Sequence, residues 1–407
     1  MSDEPKQAQG PLTGLTVIDV GMIFAGPLVG TLLADLGATV IKIEHPDGDE
    51  VRRVGRFKNG EQLWWRVTAR NKLLAAVDVK TKEGQEVLCR MVRGADVLVE
   101  NFRPGRFAEW GLSYERLSQE NRGLVLLHIS GYGQTGPYSA RPGMGTLAEA
   151  FSGFAHTIGP HDAPPSLPMF PIADGVAAIT GAYAVLAALF ERGRTGLGDE
   201  IDLSLYEPML SLMGSMLIDY DQLNYVATRH GNRSNWSVPR NSYKTSDGKW
   251  VAVSSAANSV ARRLFRAIGR DDLADDPALA TNPQRVERIE ECDGAIAEWV
   301  ARHTQKQVLD RFLECEVVVG PICDVEQIFA DPHVQARGTL VEVEDPVLGK
   351  VKVQGVVPRF KRNASSIRWL GKREVGADTA DLLTRAGYSA DEIAALETSG
   401  VVRLAPV

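Results

Sequence analysis

The sequence lacks the residue patterns that mark zinc-binding and disulfide-bonded proteins. Its four cysteines form no C-x-x-C pair and have no histidine at zinc-ligand spacing; they are Cys89, Cys292, Cys315 and Cys323. The seven histidines include no H-x-H or H-x-x-x-H pair. We therefore expect no metal site and four reduced thiols, as is typical of a cytoplasmic protein.

The chain also lacks a surplus of basic residues, a signal peptide and a long membrane-spanning run. Its 45 Lys and Arg against 52 Asp and Glu give a net charge of −7, which offers nucleic acid no general attraction. The N-terminal Met1-Ser2-Asp3-Glu4-Pro5-Lys6 has no apolar segment for secretion. The apolar run 175–190 is shorter than a bilayer requires. We expect a cytoplasmic protein with no nucleic-acid or membrane partner, and a buried helix at 175–190.

What the chain does have is a strand–helix alternation along its first half. The length of 407 residues favours one large domain and a smaller one. β-branched runs predict strands at 15–20, 39–44, 75–80, 96–100 and 124–130, and helical patterns lie near 28–36 and 83–93. This alternation predicts an α/β fold with a Rossmann-like parallel sheet.

The pattern changes near residue 225. A polar stretch at 229–241 reads as a linker, and a strand at 250–253 and amphipathic patterns at 261–268 and 295–312 follow. From residue 338 two strands flank a turn at 346–349, before a helix pair around 379–396. We predict a large domain from 1–224, a smaller α+β domain with linkers at 225–330, and a return of 331–407 to the large domain.

Asp174 is the most informative single residue. It follows the proline-rich run 164–171 and precedes the apolar helical run 175–190. A carboxylate just before a helix accepts backbone N–H bonds at the positive end of the helix dipole, which favours its charged, nucleophilic form. A plain N-cap is the alternative interpretation of the local pattern.

Two further patterns concern ligands. The run 131–136 matches G-x-G-x-x-G, but Pro137, Pro142 and Gly143 prevent the helix start that a dinucleotide site needs, so NAD or FAD is not expected. No G-x-S-x-G elbow of a serine hydrolase follows a strand. Basic residues follow two predicted strands and indicate either a solvated surface or a polyphosphate site; they are Arg52, Arg53, Arg56, Lys58, Arg103 and Arg106.

Several segments together resemble the class III CoA-transferase family, whose members include formyl-CoA transferase, carnitine CoA-transferase and α-methylacyl-CoA racemase. The matching segments are 14–19, Ala25-Gly26-Pro27, 33–44, Glu100-Asn101-Phe102-Arg103-Pro104-Gly105, 130–138, Asp174 with the helix that ends in Arg192-Gly193-Arg194-Thr195-Gly196, and Ala377-Asp378-Thr379. They occur in order over nearly the whole chain.

The resemblance implies that Asp174 is the catalytic nucleophile. It would attack an acyl-CoA thioester to give a mixed anhydride and CoA thiolate, and the thiolate would then form an aspartyl-CoA thioester that an acceptor acid captures. Backbone N–H groups would stabilise each oxyanion, with Gly143, Gly145 and Gly175 as candidates beside Met144 in the acyl pocket. Acyl-CoA and a small carboxylic acid are then substrates, and no cofactor is implied.

The resemblance also places CoA, with two departures from the family pattern. The implied contacts are Ile23, Phe24, Ala25, His45, Val77, Lys80, Asn101, Phe102, Arg103 and Arg106. Formyl-CoA transferase has an arginine where this chain has His45, and a basic residue where it has Glu109; Arg106 is the compensating candidate.

Alternatives within the resemblance are a racemase and a noncatalytic acyl-CoA-binding protein. Racemases of this family carry a His-Asp pair where this chain has Met144 and Gly145, and a methionine cannot transfer a proton. Formyl-CoA transferase has a Tyr-Glu pair there, so formate and oxalate are not implied. Succinyl-CoA with a C4 or C5 acid is the favoured substrate pair, and relatives form interlocked homodimers.

Overall fold

The structure is a computed structural model and describes residues 10–406. Up to residue 223 its elements are β1 (Thr16–Asp19), α1 (Ala25–Asp35), β2 (Thr39–Glu44), β3 (Phe57–Lys58), β4 (Glu61–Gln62), α2 (Leu63–Thr68), β5 (Lys72–Val77), α3 (Lys82–Val92), β6 (Val97–Glu100), α4 (Arg106–Glu109), α5 (Tyr114–Glu120), β7 (Val125–Ser130), α6 (Gly145–Phe151), α7 (Phe154–Thr157), α8 (Ile172–Thr195), β8 (Glu200–Ser204), α9 (Tyr206–Ser211) and α10 (Met216–Leu223).

The remaining elements complete the smaller unit and the C-terminal segment. They are β9 (Arg240–Lys244), β10 (Trp250–Ser254), α11 (Asn258–Ala267), α12 (Asp271–Ala274), α13 (Asn282–Glu287), α14 (Ile289–Val300), α15 (Gln305–Glu314), β11 (Val319–Pro321), α16 (Val325–Ala330), α17 (Pro332–Ala336), β12 (Leu340–Asp345), β13 (Gly349–Gln354), α18 (Thr379–Arg385), α19 (Ala390–Thr398) and β14 (Val402–Arg403), with 3-10 turns at Glu50–Arg53 and Pro277–Leu279.

The central sheet has seven strands in the order β14-β5-β2-β1-β6-β7-β8. All neighbouring pairs are parallel except β14, which runs antiparallel to β5 at the edge. The six parallel strands follow the order of a doubly wound α/β sheet, which reverses direction between β1 and β6. Ligands bind outside the carboxyl ends of the strands at such a reversal, so the turns after β1 and β6 are where a site is expected.

Helix α8 packs one narrow face on this sheet. Gly181 permits the close approach, because a Cβ there would lie 2.9 Å from Leu127 Cδ2 of β7. The predicted helix at 175–190 is present, but it is longer than expected and is not buried on all sides. The helix runs from Ile172 to Thr195, and its other face is open, with Ile179, Tyr183 and Phe190 exposed by 61%, 63% and 74%.

The length and composition of α8 would also suit a membrane span. Its best 18-residue window has a mean hydropathy of 1.7, and it is the one such helix found in residues 10–406. One helix of this kind is weak evidence, because the core helix of a soluble protein has the same character. Here the small side chains of its buried face, Ala173, Ala177 and Ala178 among them, pack in the core around the sheet.

The chain divides into two compact units. The larger contains residues up to Phe154, Pro168–Ser215 and those from Gly338; the smaller contains Ala155–Leu167 and Met216–Arg337. These limits differ from the predicted 224/225 and 330/331 boundaries, and segment 155–167 was not anticipated. Composition misled the linker prediction at 229–241, because Val238 is fully buried within the smaller unit's own core.

The smaller unit is α+β. Strands β9, β10 and β11 form an antiparallel sheet, and helices α11 to α15 contribute to its core. The predicted pattern at 295–312 is two helices, because Thr304 caps a new helix start with Gln307. In the larger unit, the C-terminal segment places Leu382, Leu383 and Ile393 in the core on one side of the seven-stranded sheet.

Candidate active site

A cavity of about 650 Å³ lies at the carboxyl ends of β1 and β6, within the larger unit. Its walls come from the turn after β1, the turn after β6, the loop and first turn of α6, and the start of α8. The lining residues are Met22, Ile23, Phe24, Ala25, Glu50, Trp64, Asn101, Arg103, Ile129, Ser130, Gly131, Gly143, Met144, Gly145, Thr146, Glu149, Pro168, Met169, Phe170, Pro171, Asp174 and Leu205.

Asp174 lies in the wall of this cavity, but not as the N-cap that the sequence predicts. Helix α8 begins at Ile172 after Pro171, so Asp174 is its third residue. Burial, reinforced by the nearby charge of Glu149, raises the pKa of Asp174 to about 6. The charged form is thus disfavoured relative to water, contrary to the expectation, although at pH 7 about nine-tenths of the carboxyl is still ionised.

The glycines of the α6 segment are positioned by two close approaches. A Cβ on Gly143 would lie 2.4 Å from Gly131 Cα, so these two backbones pack directly on each other. A Cβ on Gly145 would lie 1.8 Å from Oδ2 of Asp174. Any side chain at residue 145 would therefore displace the carboxylate of Asp174. Because glycine has no side chain, the first turn of α6 can lie against this carboxylate.

The three oxyanion candidates differ in what their N–H groups do. The N–H of Gly175 donates to Pro171 O at 3.0 Å within α8, so the expectation that it serves as an oxyanion donor is wrong. Gly145 is the first residue of α6, where N–H groups have no intrahelical acceptor. Gly143 and Gly145 both line the cavity and stay candidates.

The turn after β1 is clamped from two sides. Asn101 accepts from Met22 N at 2.7 Å and donates to Met22 O at 2.9 Å, while the ammonium of Lys42 donates to Gly21 O. Ile23 has φ 65°, a left-handed conformation that is costly for a β-branched residue. The surrounding bonds hold this strained turn in the cavity wall.

The predicted CoA contacts do not all lie in one place. Ile23, Phe24, Ala25, Asn101 and Arg103 line the cavity. The side chain of Asn101 is already bound to the Met22 backbone, so its role here is to hold the turn. Arg103 is exposed and forms no ion pair within residues 10–406.

The other predicted contacts lie outside the cavity lining. Val77 is 2% exposed in the core, where its side chain cannot reach a ligand. Phe102 packs on Phe107 and Trp110. His45 lies 3.8 Å from Asp78, Lys80 is exposed beyond β5, and Arg106 pairs with Glu109 at 2.9 Å rather than standing free.

Arg52 is engaged in the structure and does not form an open phosphate site. Its Nε lies 2.7 Å from Glu44, and its guanidinium stacks 3.8 Å above the Trp65 ring. Arg53 donates to Asp47 O at 2.7 Å. Within residues 10–406, no group of three or more His, Cys, Asp and Glu side chains is placed to hold a metal ion.

Sequence reasoning missed several members of the cavity, among them Glu149 and Trp64. Glu149 on α6 adds a carboxylate to the wall besides those of Asp174 and Glu50, and it is only 2% exposed. Trp64 packs its ring 5.4 Å from that of Phe24. The available signal for Glu149 was its position four residues after Gly145, which puts both on one face of a helix, but no pattern in the chain marked that face as facing Asp174.

The chain matches known proteins over nearly its whole length. The family model described as CoA-transferase family III matches residues 12–379. The chain is an enzyme of CoA-transferase family III. The resemblance stated from the sequence motifs is thereby confirmed, as is the α/β fold class.

Among other members of CoA-transferase family III, succinyl-CoA–D-citramalate CoA-transferase of Chloroflexus aurantiacus is 39% identical over 96% of this chain and 98% of its own length. Human succinyl-CoA:glutarate CoA-transferase is 31% identical over 86% of this chain and 81% of its own. The crystal structure of a CAIB/BAIF family protein from Brucella suis superposes with a TM-score of 0.82 at 29% identity, covering 93% of this chain and all of that one.

Proposed function

We propose that this enzyme transfers CoA from succinyl-CoA to a C4 or C5 dicarboxylic acid. Relatives that act with succinyl-CoA on citramalate, malate and glutarate support this choice of donor and acceptor. The observation that carries the proposal is Asp174, a partly buried carboxylate in the wall of a 650 Å³ cavity at the reversal point of the sheet.

The proposed mechanism is nucleophilic catalysis by Asp174. An oxygen of its carboxylate attacks the thioester carbonyl carbon, the C–S bond breaks, and succinyl-aspartyl anhydride and CoA thiolate form. The thiolate then attacks the aspartyl carbonyl and releases succinate. The acceptor carboxylate then attacks the aspartyl-CoA thioester, which gives a second anhydride, between Asp174 and the acceptor, and CoA thiolate. The thiolate attacks the acceptor's carbonyl carbon in this anhydride, so the acceptor's CoA thioester forms and the Asp174 carboxylate is released.

Two groups in the cavity support binding and charge stabilisation. Among the cavity-lining residues in the described range 10–406, Arg103 is the one Lys or Arg, and it is our proposed anchor for a phosphate of CoA. The N–H groups of Gly143 and Gly145 are proposed as oxyanion donors. No metal or further cofactor is needed for this sequence of steps.

The decisive experiment combines an acceptor screen with chemical trapping. Wild-type enzyme, succinyl-CoA and a panel of acids are analysed by mass spectrometry for every new thioester, and hydroxylamine traps an activated aspartate only after succinyl-CoA is added. Asp174→Asn should lose at least about 1,000-fold in kcat and all trapping. Asp391→Asn, which removes a carboxylate from the exposed face of α19, is the matched control and should behave as wild type.

The result also separates the alternative functions. Full transfer by the Asn variant would exclude Asp174 as nucleophile. Binding of CoA without turnover of any acid would indicate a noncatalytic protein. Loss of deuterium from C2 of a 2-methylacyl-CoA, without transfer, would indicate a racemase, for which Met144 and Gly145 offer no proton carrier.

We also propose that the enzyme is a cytoplasmic homodimer. The exposed stripe on α8, formed by Ile179, Tyr183 and Phe190, supports a second copy, because such a row of large apolar side chains is unusual on a free surface. Sedimentation at low micromolar concentration should show only the dimer. A stable folded monomer would exclude interlocked chains.

A further inference from the structure

Glu149 is a buried carboxylate in the cavity wall. Glu149 is 2% exposed, and its Oε1 accepts from the N–H of Ala173 at 3.3 Å. Within residues 10–406 it has no Lys, Arg or His at ion-pair distance. A buried carboxylate without a cation is expensive, and structural sites avoid it.

Glu149 lies in the same cavity wall as Asp174, and its charge contributes to the raised pKa of Asp174. It stands one turn after Gly145 on α6, and Gly145 is the residue whose Cβ would collide with Asp174 Oδ2. Its hydrogen-bond partner, Ala173, immediately precedes Asp174 in the first turn of α8. The side chain therefore contacts the backbone that carries Asp174 and adds a negative charge on the same side.

Other charged groups on the elements that pack against α8 are engaged elsewhere. Glu50 and Arg103 also line the cavity, and neither is on an element that packs against α8. The remaining groups have partners of their own: Asp35 with Arg70, His128 with Glu100 and Glu200, Glu207 with Ser204, and Asp202 with Gln134 N. Glu149 is the charge that acts on Asp174 from an adjacent helix.

We infer that Glu149 is a positioning residue for Asp174, which fixes the first turn of α8 through Ala173 and keeps a second negative charge beside the nucleophile. This inference rests on the proposed function. When Asp174 attacks the thioester, its new bond to the acyl carbon forms as the C–S bond breaks, and the negative charge leaves with the CoA thiolate. Repulsion from Glu149 is thus present in the free enzyme and relieved in the anhydride, which favours acylation.

The two contributions can be separated by two substitutions. Glu149→Gln keeps an oxygen for Ala173 N–H but removes the charge, so the acid limb of kcat/KM should move about one pH unit lower from its position near pH 6. Glu149→Ala should show the same shift and also lose about tenfold or more in kcat, because the first turn of α8 is no longer held. Glu191→Gln removes a charge from the exposed far end of α8 and should leave the pH profile unchanged.

The pH profile distinguishes this role from a purely structural one. An unchanged acid limb in Glu149→Gln, in a variant with wild-type thermal stability or better, would overturn the inference. So would equal kcat values for the Gln and Ala variants. Failure of the proposed function itself is recognised separately, by full transfer activity in Asp174→Asn.

Discussion

Two groups of buried charges lie in the larger unit, and they are built on opposite principles. Beneath the turn after β1, Lys72 lies 2.9 Å from Asp19 and Lys42 lies 3.1 Å from Asp49, with all four side chains nearly inaccessible. In the cavity wall, Asp174 is accompanied by the acids Glu149 and Glu50, and within residues 10–406 neither Asp174 nor Glu149 forms an ion pair. Compensated charges hold backbone in place, whereas an uncompensated carboxylate retains the reactivity of its lone pairs.

The compensated group supports the uncompensated one. Lys72 donates to Pro27 O, Lys42 donates to Gly21 O, and Asp19 accepts from Gly21 N at 2.9 Å. These bonds fix both ends of the turn that carries Ile23 into the cavity. The stable ion pairs therefore maintain the strained wall, while Asp174, the proposed nucleophile, is on a different element, α8.

Breaking the compensated group should have the largest effect. Lys72→Met leaves Asp19 buried without its closest cation, which should lower the free energy of unfolding by about 3–5 kcal/mol. Lys82→Met, an exposed change on α3, should stay within about 0.5 kcal/mol of wild type. Denaturant unfolding of both variants provides the measurement. A loss below about 1 kcal/mol for Lys72→Met would show that this ion pair is not a stabilising element.

Disturbing the uncompensated acid should instead reduce activity with little loss of stability. In Gly145→Ala the new Cβ falls where Asp174 Oδ2 lies, and the flexible carboxylate must rotate away. We expect kcat to fall about 100-fold while the melting temperature stays close to wild type. Gly193→Ala lies in α8 with nothing within 4 Å of its Cβ, so it should keep full activity and gain about 0.5–1 kcal/mol.

Equal activity in the two glycine variants would contradict the placement of α6 against Asp174. Loss of folding in Gly145→Ala would contradict it differently, by showing that residue 145 packs against backbone and not against a movable side chain. Kinetics and thermal unfolding on the same samples distinguish these outcomes.

The sequence predicted the fold better than the site, for a physical reason. Parallel strands are buried on both faces, so their apolar runs are evident, and the strand Thr39–Glu44 was placed to the residue. The two-residue edge strand β14 has no such run and was missed. The open face of α8 was also missed, because Ile179, Tyr183 and Phe190 are apolar residues of the kind found in a core, although the structure leaves them exposed.

For the site, motifs identified Asp174 and the turn around Ile23, both of which line the cavity. Local pattern could not predict that burial and a charge from α6 would outweigh the helix dipole at Asp174. Val77 is a second case in which the sequence did not predict burial, because it was an expected CoA contact and its side chain is buried. The sequence pattern predicts a strand that continues to residue 80. In the structure this strand ends at Val77, and the side chain of Val77 lies in the core.

The smallest effect we predict concerns the pH dependence of stability. The pKa of Asp174 is about 6 in the folded protein, above the usual 3.8, so the folded state holds a proton that the unfolded state has released between these values. Stability should therefore fall as pH rises from 4 to 6, by up to about 2 kcal/mol after allowance for partial exposure. Asp174→Asn has no such proton. The difference in unfolding free energy between Asp174→Asn and wild type should be near zero at pH 4 and should grow in favour of the variant to about 2 kcal/mol by pH 7. Unfolding curves measured across this pH range provide the test. Asp391→Asn, which removes an exposed carboxylate of α19, is measured in parallel as the control. A pH-independent difference for Asp174→Asn would mean that the carboxyl of Asp174 is no more buried in effect than one at the surface, and that the contrast between the two charge groups does not hold.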